Sequence, residues 1–180
     1  ALSQDYRNRG RRSEEQMEVM RALWTSPLID YEGRWHTIRA GGINPLPVQR
    51  PIPIWIGGHS DPVLKRIARL ADGWMPNFEP NEFGRETIET LHRYCEQVGR
   101  DPAEIGIEVT INVLGRSPEQ WVQNAVAWKA LGVTHLSVNT MCEVWSEERM
   151  MWSKAPSDRM TCVNNHVKAL EQYRAVVDTL

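Results

Sequence analysis

The sequence predicts an α/β fold with four parallel strands separated by helices, about half of an eight-stranded β/α barrel. Three observations carry this. Residues 52–76, IPIWIGGHSDPVLKRIARLADGWMP, read as strand, glycine turn, helix and strand, one βαβ unit with very short connections. Residues 105–113 alternate apolar and polar side chains, as a strand with two unlike faces does. Along the chain the order is helix, long connection, β-α-β-α-β-α-β and a last helix, and right-handed crossovers make such strands parallel.

Taken in order, residues 1–12 are polar and basic and carry no apolar period. Ser13-Glu14-Glu15-Gln16 has capping-box spacing, and Met17, Met20, Leu23 and Trp24 follow as a helical stripe that stops near Ser26-Pro27. Residues 28–51 form a long connection. Tyr31–Ile38 reads as a small hairpin around Glu32-Gly33, and Pro45, Pro47, Pro51 and Pro53 keep the rest extended. Loops of this length are often functional or lid-like. His36 is a lone histidine within it.

Pro53–Ile56 is the first strand of the βαβ unit. Ser60-Asp61-Pro62 starts its helix, with a polar cap and proline in the first turn, and Gly73 precedes the second strand. Asn81 is placed to cap the next helix, whose expected inner face is Phe83, Ile88, Leu91, Tyr94, Cys95 and Val98. On the 105–113 strand, Glu108 and Asn112 face either a polar barrel lumen or water. Ser117-Pro118-Glu119-Gln120 is a second capping box. Its helix runs to about Leu131 on Trp121, Ala125 and Trp128, and a fourth strand, Val133–Val138, ends at Asn139-Thr140. Residues 141–162 read as irregular with a short helix over Glu147–Trp152, and a last helix covers about Asn165–Val177, with Val167, Leu170, Tyr173 and Val177 inward.

Composition narrows the function. With 180 residues, 41% hydrophobic and 24% charged, the chain is globular. A net charge of −2 without a long basic run argues against nucleic-acid binding by phosphate neutralisation. No apolar stretch approaches the roughly 20 residues that span a bilayer. The first residues lack the apolar core of a secretory signal. Three widely spaced cysteines fit a reducing compartment, so a cytoplasmic protein is expected. No close Cys or His pair has zinc-ligand spacing, so no metal is expected. Most of the eight tryptophans are expected as packing anchors.

The turn Gly57-Gly58-His59-Ser60 holds the chemical interest. A helix N-terminus carries unpaired N–H groups and a partial positive charge, and glycines let an anion approach the backbone. Ser60 and His59 add side-chain donors. The pattern fits a phosphate cradle for a nucleotide-like cofactor; it equally fits a tight βα turn that needs glycine for backbone reasons alone.

The blocks Leu23-Trp24-Thr25, Tyr31-Glu32-Gly33, PLPVQRPIPIWIGGHS from Pro45 to Ser60, and Ala71-Asp72-Gly73-Trp74-Met75-Pro76 resemble the bacterial luciferase-like monooxygenase superfamily. They look closest to its flavin- or deazaflavin-dependent oxidoreductase branch. Val133–Thr140 and the terminal helix at His166 fit as well, so the resemblance covers nearly the whole chain. It implies the C-terminal half of a (β/α)8 TIM barrel, strands five to eight. Residues 28–51 would be an insertion over the barrel mouth, residues 52–140 the βα repeats, and residues 141–180 a tail with the terminal helix, all in one domain incomplete at its N-terminus.

The resemblance also implies reduced FMN or coenzyme F420, with F420 favoured. It implies a cofactor phosphate held by Gly57, Gly58, His59 and Ser60 and approached by Asn77 after the next strand. Lys65 or Arg39 would suit an F420 tail. Family positions for catalytic residues lie ahead of residue 1, so none is assigned. A small-molecule substrate is expected, with either a homo-oligomer or a complementary N-terminal half as partner. The alternatives are a non-catalytic flavin-binding or assembly subunit and an inactive fragment.

Overall fold

A computed structural model describes residues 5–113, 116–140 and 159–177. The chain divides into two compact units. One runs to Met75 and takes in Thr87–Gly106; the other comprises Pro76–Glu86 and the chain from Ile107 onward.

The first unit opens with a 3-10 turn, Tyr6–Asn8, and helix α1, Arg9–Thr25. The helix thus starts before the expected capping box. Ser13 lies inside it and bonds back to the Gly10 carbonyl at 2.8 Å, so it caps nothing. Met17, Val19 and Glu15 are buried, while Met20 is exposed. The predicted hairpin forms from strands β1, Ile29–Glu32, and β2, Thr37–Gly41, closed by Gly33 N–H donating to the His36 carbonyl at 2.8 Å.

Strand β3, Trp55–Gly57, is shorter and later than the sequence predicts. Pro53 has no N–H to give a ladder, and the Ile54 N–H goes instead to the Asp72 side chain at 2.7 Å. Helix α2, Asp61–Leu70, and strand β4, Gly73–Met75, complete the βαβ unit, with β3 and β4 parallel and Ile56 opposite Trp74. α1 packs on α2. Glu14 pairs with Arg66 and Arg69 across that contact at 3.1 and 2.9 Å.

Two arginines satisfy the carbonyls that end α2, which have no partner within the helix. Arg21 reaches the Leu70 carbonyl and Asp72, each at 2.8 Å, and Arg100 reaches the Ala71 carbonyl at 2.6 Å. Helix α3, Glu82–Gln97, is capped by Asn81, whose Oδ1 accepts from Gly84 N–H at 3.0 Å. Ile88, Leu91 and Cys95 are buried as predicted; Phe83 and Val98 are exposed, because the burial stripe runs through Gly84 and Thr87 instead.

In the second unit, strands β5, Gly106–Asn112, and β6, His135–Asn139, pair in parallel. Ile107, Val109, Ile111 and Val113 are all at most 4% exposed on one face of β5, as the alternation predicts. Helix α4, Pro118–Ala130, has both bonds of the capping box: Ser117 Oγ accepts from Gln120 N–H, and Gln120 Oε1 accepts from Ser117 N–H. Trp121, Ala125 and Trp128 pack with the β5 face.

Helix α5, Arg159–Val177, starts ahead of the predicted boundary. Among its described side chains Ala169 and Tyr173 are buried, Tyr173 as predicted and against Trp121 at 5.9 Å between ring centroids; Val167 and Leu170 are exposed, and the side chain of Val177 lies outside what is described. The predicted short helix over Glu147–Trp152 lies outside the described residues. No helix among the described residues is long and apolar enough to cross a membrane, and no group of His, Cys, Asp or Glu among them is arranged to hold a metal ion.

Candidate functional site

The glycine turn sits where β3 gives way to α2. Gly58 has φ +101°, a conformation that favours glycine, so backbone geometry alone accounts for it. Gly57 is different. Its backbone is not in the left-handed region, and a Cβ there would meet nothing closer than the Met75 carbonyl at 3.7 Å. Among the described residues neither strain nor packing calls for glycine at Gly57, which is exposed and leaves room for a side chain.

The donors of the turn follow from the helix start. Ser60 has extended backbone (φ −71°, ψ 150°), and its hydroxyl makes no capping bond, unlike that of Ser117. Val63 and Leu64 N–H both go to the Ser60 carbonyl, at 2.8 and 3.0 Å. Pro62 has none to offer. The Ser60 and Asp61 amides make no hydrogen bond among the described residues. His59 and Ser60 are exposed. The turn is tied down from beneath by buried Trp74, whose indole N–H donates to the Gly58 carbonyl at 2.7 Å.

Asp61, in the first helical position, favours the helix dipole. It accepts from Lys65 at 2.7 Å and from the Tyr94 hydroxyl. The Lys65 ammonium, then the Tyr94 hydroxyl, hold its carboxyl below the ordinary range, and Asp61 in turn holds the Lys65 ammonium above its own. The two cations expected to suit a cofactor tail are therefore engaged: Lys65 with Asp61, and Arg39 with Glu32 at 2.8 Å.

Of the predicted site residues, Gly57, Gly58, His59 and Ser60 form one turn in which Gly58 is half-buried and the other three are exposed. Asn77 is exposed and belongs to the second unit. His36 is a structural ligand of a buried carboxylate. Glu15 accepts from the Arg34, Trp35 and His36 amides at 2.9, 2.9 and 2.7 Å and contacts His36 Nδ1 at 2.8 Å. Burial raises the Glu15 carboxyl, but the bonds from Trp35, His36 and Arg34 outweigh it and leave the group below the ordinary range.

Sequence reasoning left Glu108 and Asn112 undecided between lumen and water. Both are half-buried and bonded across the ladder: Ser137 Oγ donates to Glu108, and Asn139 Nδ2 donates to Asn112 Oδ1 at 2.8 Å. The serine and asparagine partners were missed. Their only signal was the period-two placement of polar residues in 135–139, which becomes informative once the β5–β6 register is known.

Residues 1–170 match the luciferase-like monooxygenase family. An uncharacterized protein of Mycobacterium tuberculosis is 38% identical over 104 residues, 57% of this chain and 35% of that protein. The F420-dependent glucose-6-phosphate dehydrogenase of Mycolicibacterium gilvum is 25% identical over 133 residues, 72% of this chain and 39% of the enzyme.

The chain thus spans little more than a third of the length of these curated relatives. Two solved structures share its fold. A long-chain alkane monooxygenase superposes with TM-score 0.56 at 15% identity, over 73% of this chain and 36% of that one. An F420-dependent secondary alcohol dehydrogenase superposes with TM-score 0.54 at 14% identity, over 96% and 55%. The α/β fold, with its parallel strands, is therefore that of part of these larger structures, and the chain belongs to the luciferase-like monooxygenase family.

Proposed function

We propose that this chain supplies the cofactor-phosphate part of a flavin- or deazaflavin-dependent oxidoreductase, with coenzyme F420 as the cofactor and FMN as the alternative. One observation carries the reading. Gly57 is a glycine that neither its backbone conformation nor packing among the described residues requires, and it stands three residues before Ser60, whose amide, like that of Asp61, makes no hydrogen bond among the described residues and whose hydroxyl makes no capping bond. A phosphate group fits these donors, since main-chain N–H groups at a helix start favour negative charge.

Gly57 would admit the phosphate to the backbone, Ser60 would donate from hydroxyl and amide, and His59 would contribute from the rim. The bound cofactor would supply hydride transfer or oxygen chemistry, while these residues bind and orient it. The preference for F420 draws on relatives named for F420 dependence, among them the Mycolicibacterium gilvum enzyme. Cofactor reduction by a substrate distinguishes this reading from a non-catalytic binding subunit.

The test is a fluorescence titration of the full chain with FMN, riboflavin, F420 and its phosphate-free deazaflavin core. Phosphate-bearing forms should bind at least about tenfold more tightly, the worth of one or two charge-assisted hydrogen bonds. Gly57→Val should erase that preference while leaving the melting temperature within a few degrees. Equal affinity for FMN and riboflavin, together with equal affinity for F420 and its core, would overturn the proposal.

A further inference from the structure

We infer that Trp74 is a positioning residue for the phosphate cradle, acting through the Gly58–His59 peptide. The inference rests on the reading of the turn given above. Trp74 is the middle residue of β4 and is fully buried, opposite Ile56 of β3. An indole has one polar atom, a donor, and a buried donor must find an acceptor. Here Nε1 donates to the Gly58 carbonyl at 2.7 Å.

A trans peptide is planar, and its C=O and N–H point in opposite directions. With the Gly58 carbonyl drawn down onto the indole, the N–H of the same peptide, which belongs to His59, is turned away from the core. His59 and Ser60 lie on that solvent side. Gly58, at φ +101°, is free to rotate about its backbone more than any other residue type. Without an anchor, this peptide is therefore the one in the turn most able to flip. A flipped peptide would aim a carbonyl oxygen at the place where an anion binds and replace attraction with repulsion.

Packing alone does not account for the choice of residue. A phenyl ring would fill much of the same buried volume and leave the carbonyl unbonded. Trp74 thus sets which end of one peptide dipole faces the cofactor, and it does so from the core, without touching the ligand.

Two replacements test this in the full chain: Trp74→Phe, and benzothienylalanine at the same position. The second keeps the bicyclic shape and replaces the N–H with sulfur. Each protein is titrated with FMN and with riboflavin, and with F420 and its phosphate-free core. The expected result is about tenfold weaker binding of the phosphate-bearing forms, with the phosphate-free forms unchanged, in both variants. The His59 amide proton should also shift in the ¹⁵N-correlated spectrum of the ligand-free protein.

Equal weakening of phosphate-bearing and phosphate-free forms would assign Trp74 a purely structural role and overturn the inference. So would an unchanged preference in the benzothienylalanine protein, whatever the phenylalanine variant does. If the unmodified protein shows no preference for phosphate, the cradle reading itself fails, and this inference falls with it.

Discussion

Replacing Gly73 with alanine should destabilise the first unit by colliding with one identified ring. A Cβ at Gly73 would lie 2.2 Å from Cδ2 of Trp55 and 2.3 and 2.4 Å from its Cε3 and Cε2. These atoms belong to the rigid bicycle, so no flexible tip can bend aside. The ring's outer edge meets a second glycine, where a Cβ at Gly106 would come within 2.6 Å of Cη2. The indole therefore lies across two glycines of neighbouring strands and must shift if either gains a methyl group. Overpacking of this kind costs about 1–3 kcal/mol.

A Trp55→Ala background removes the obstacle. There Gly73→Ala should become neutral or stabilising by about 0.4–1 kcal/mol, because Gly73 is not in the left-handed region and alanine reduces unfolded-state entropy. Urea unfolding of the wild type, both single variants and the double variant gives the coupling energy. A coupling of about 1–3 kcal/mol is expected. A Gly73→Ala cost that is the same in both backgrounds would refute the account of these glycines as the bed for Trp55.

Three further outcomes follow from other parts of the fold. Glu15→Gln should speed hydrogen exchange at the Arg34, Trp35 and His36 amides, because an amide offers one acceptor oxygen where the carboxylate offers two; unchanged exchange would contradict the clamp. Since the Glu15 carboxyl is held below its unfolded value, its stabilising effect is present above the unfolded pKa and lost as pH falls through the lowered one. The pH dependence of unfolding should flatten on the acid side in the glutamine variant. Ser117→Ala should cost about 1 kcal/mol by thermal or urea unfolding, since it removes one side of a complete capping box, whereas Ser13→Ala should cost far less because Ser13 caps nothing.

Burial raises the Cys95 thiol, so its protonated form belongs to the folded state; stability from this source is complete below the unfolded thiol pKa and declines as pH rises through the raised value. A thiol reagent at neutral pH should accordingly label Cys95 only at the rate of opening.

Elements governed by local chemistry were legible in the sequence. The hairpin at Glu32-Gly33, the Asn81 cap, the Ser117–Gln120 box and the two faces of β5 depend on neighbours a few residues away, and the structure has each where the pattern puts it. The glycine turn was legible as a motif but ambiguous in cause. Tertiary structure separates Gly58, whose φ accounts for it, from Gly57, which neither its φ nor any neighbour among the described residues accounts for.

What required tertiary structure was every feature set by a distant partner. Ser13 loses its expected capping role because α1 begins earlier. His36 becomes a Glu15 partner because the hairpin closes on α1, 21 residues back. β3 starts late because Asp72 takes the Ile54 amide, and the inner face of α5 keeps Tyr173, set against Trp121, but takes Ala169 in place of Val167 and Leu170. Residue order determines which local bonds a segment can make; only packing decides which of its groups are already spent on something far along the chain.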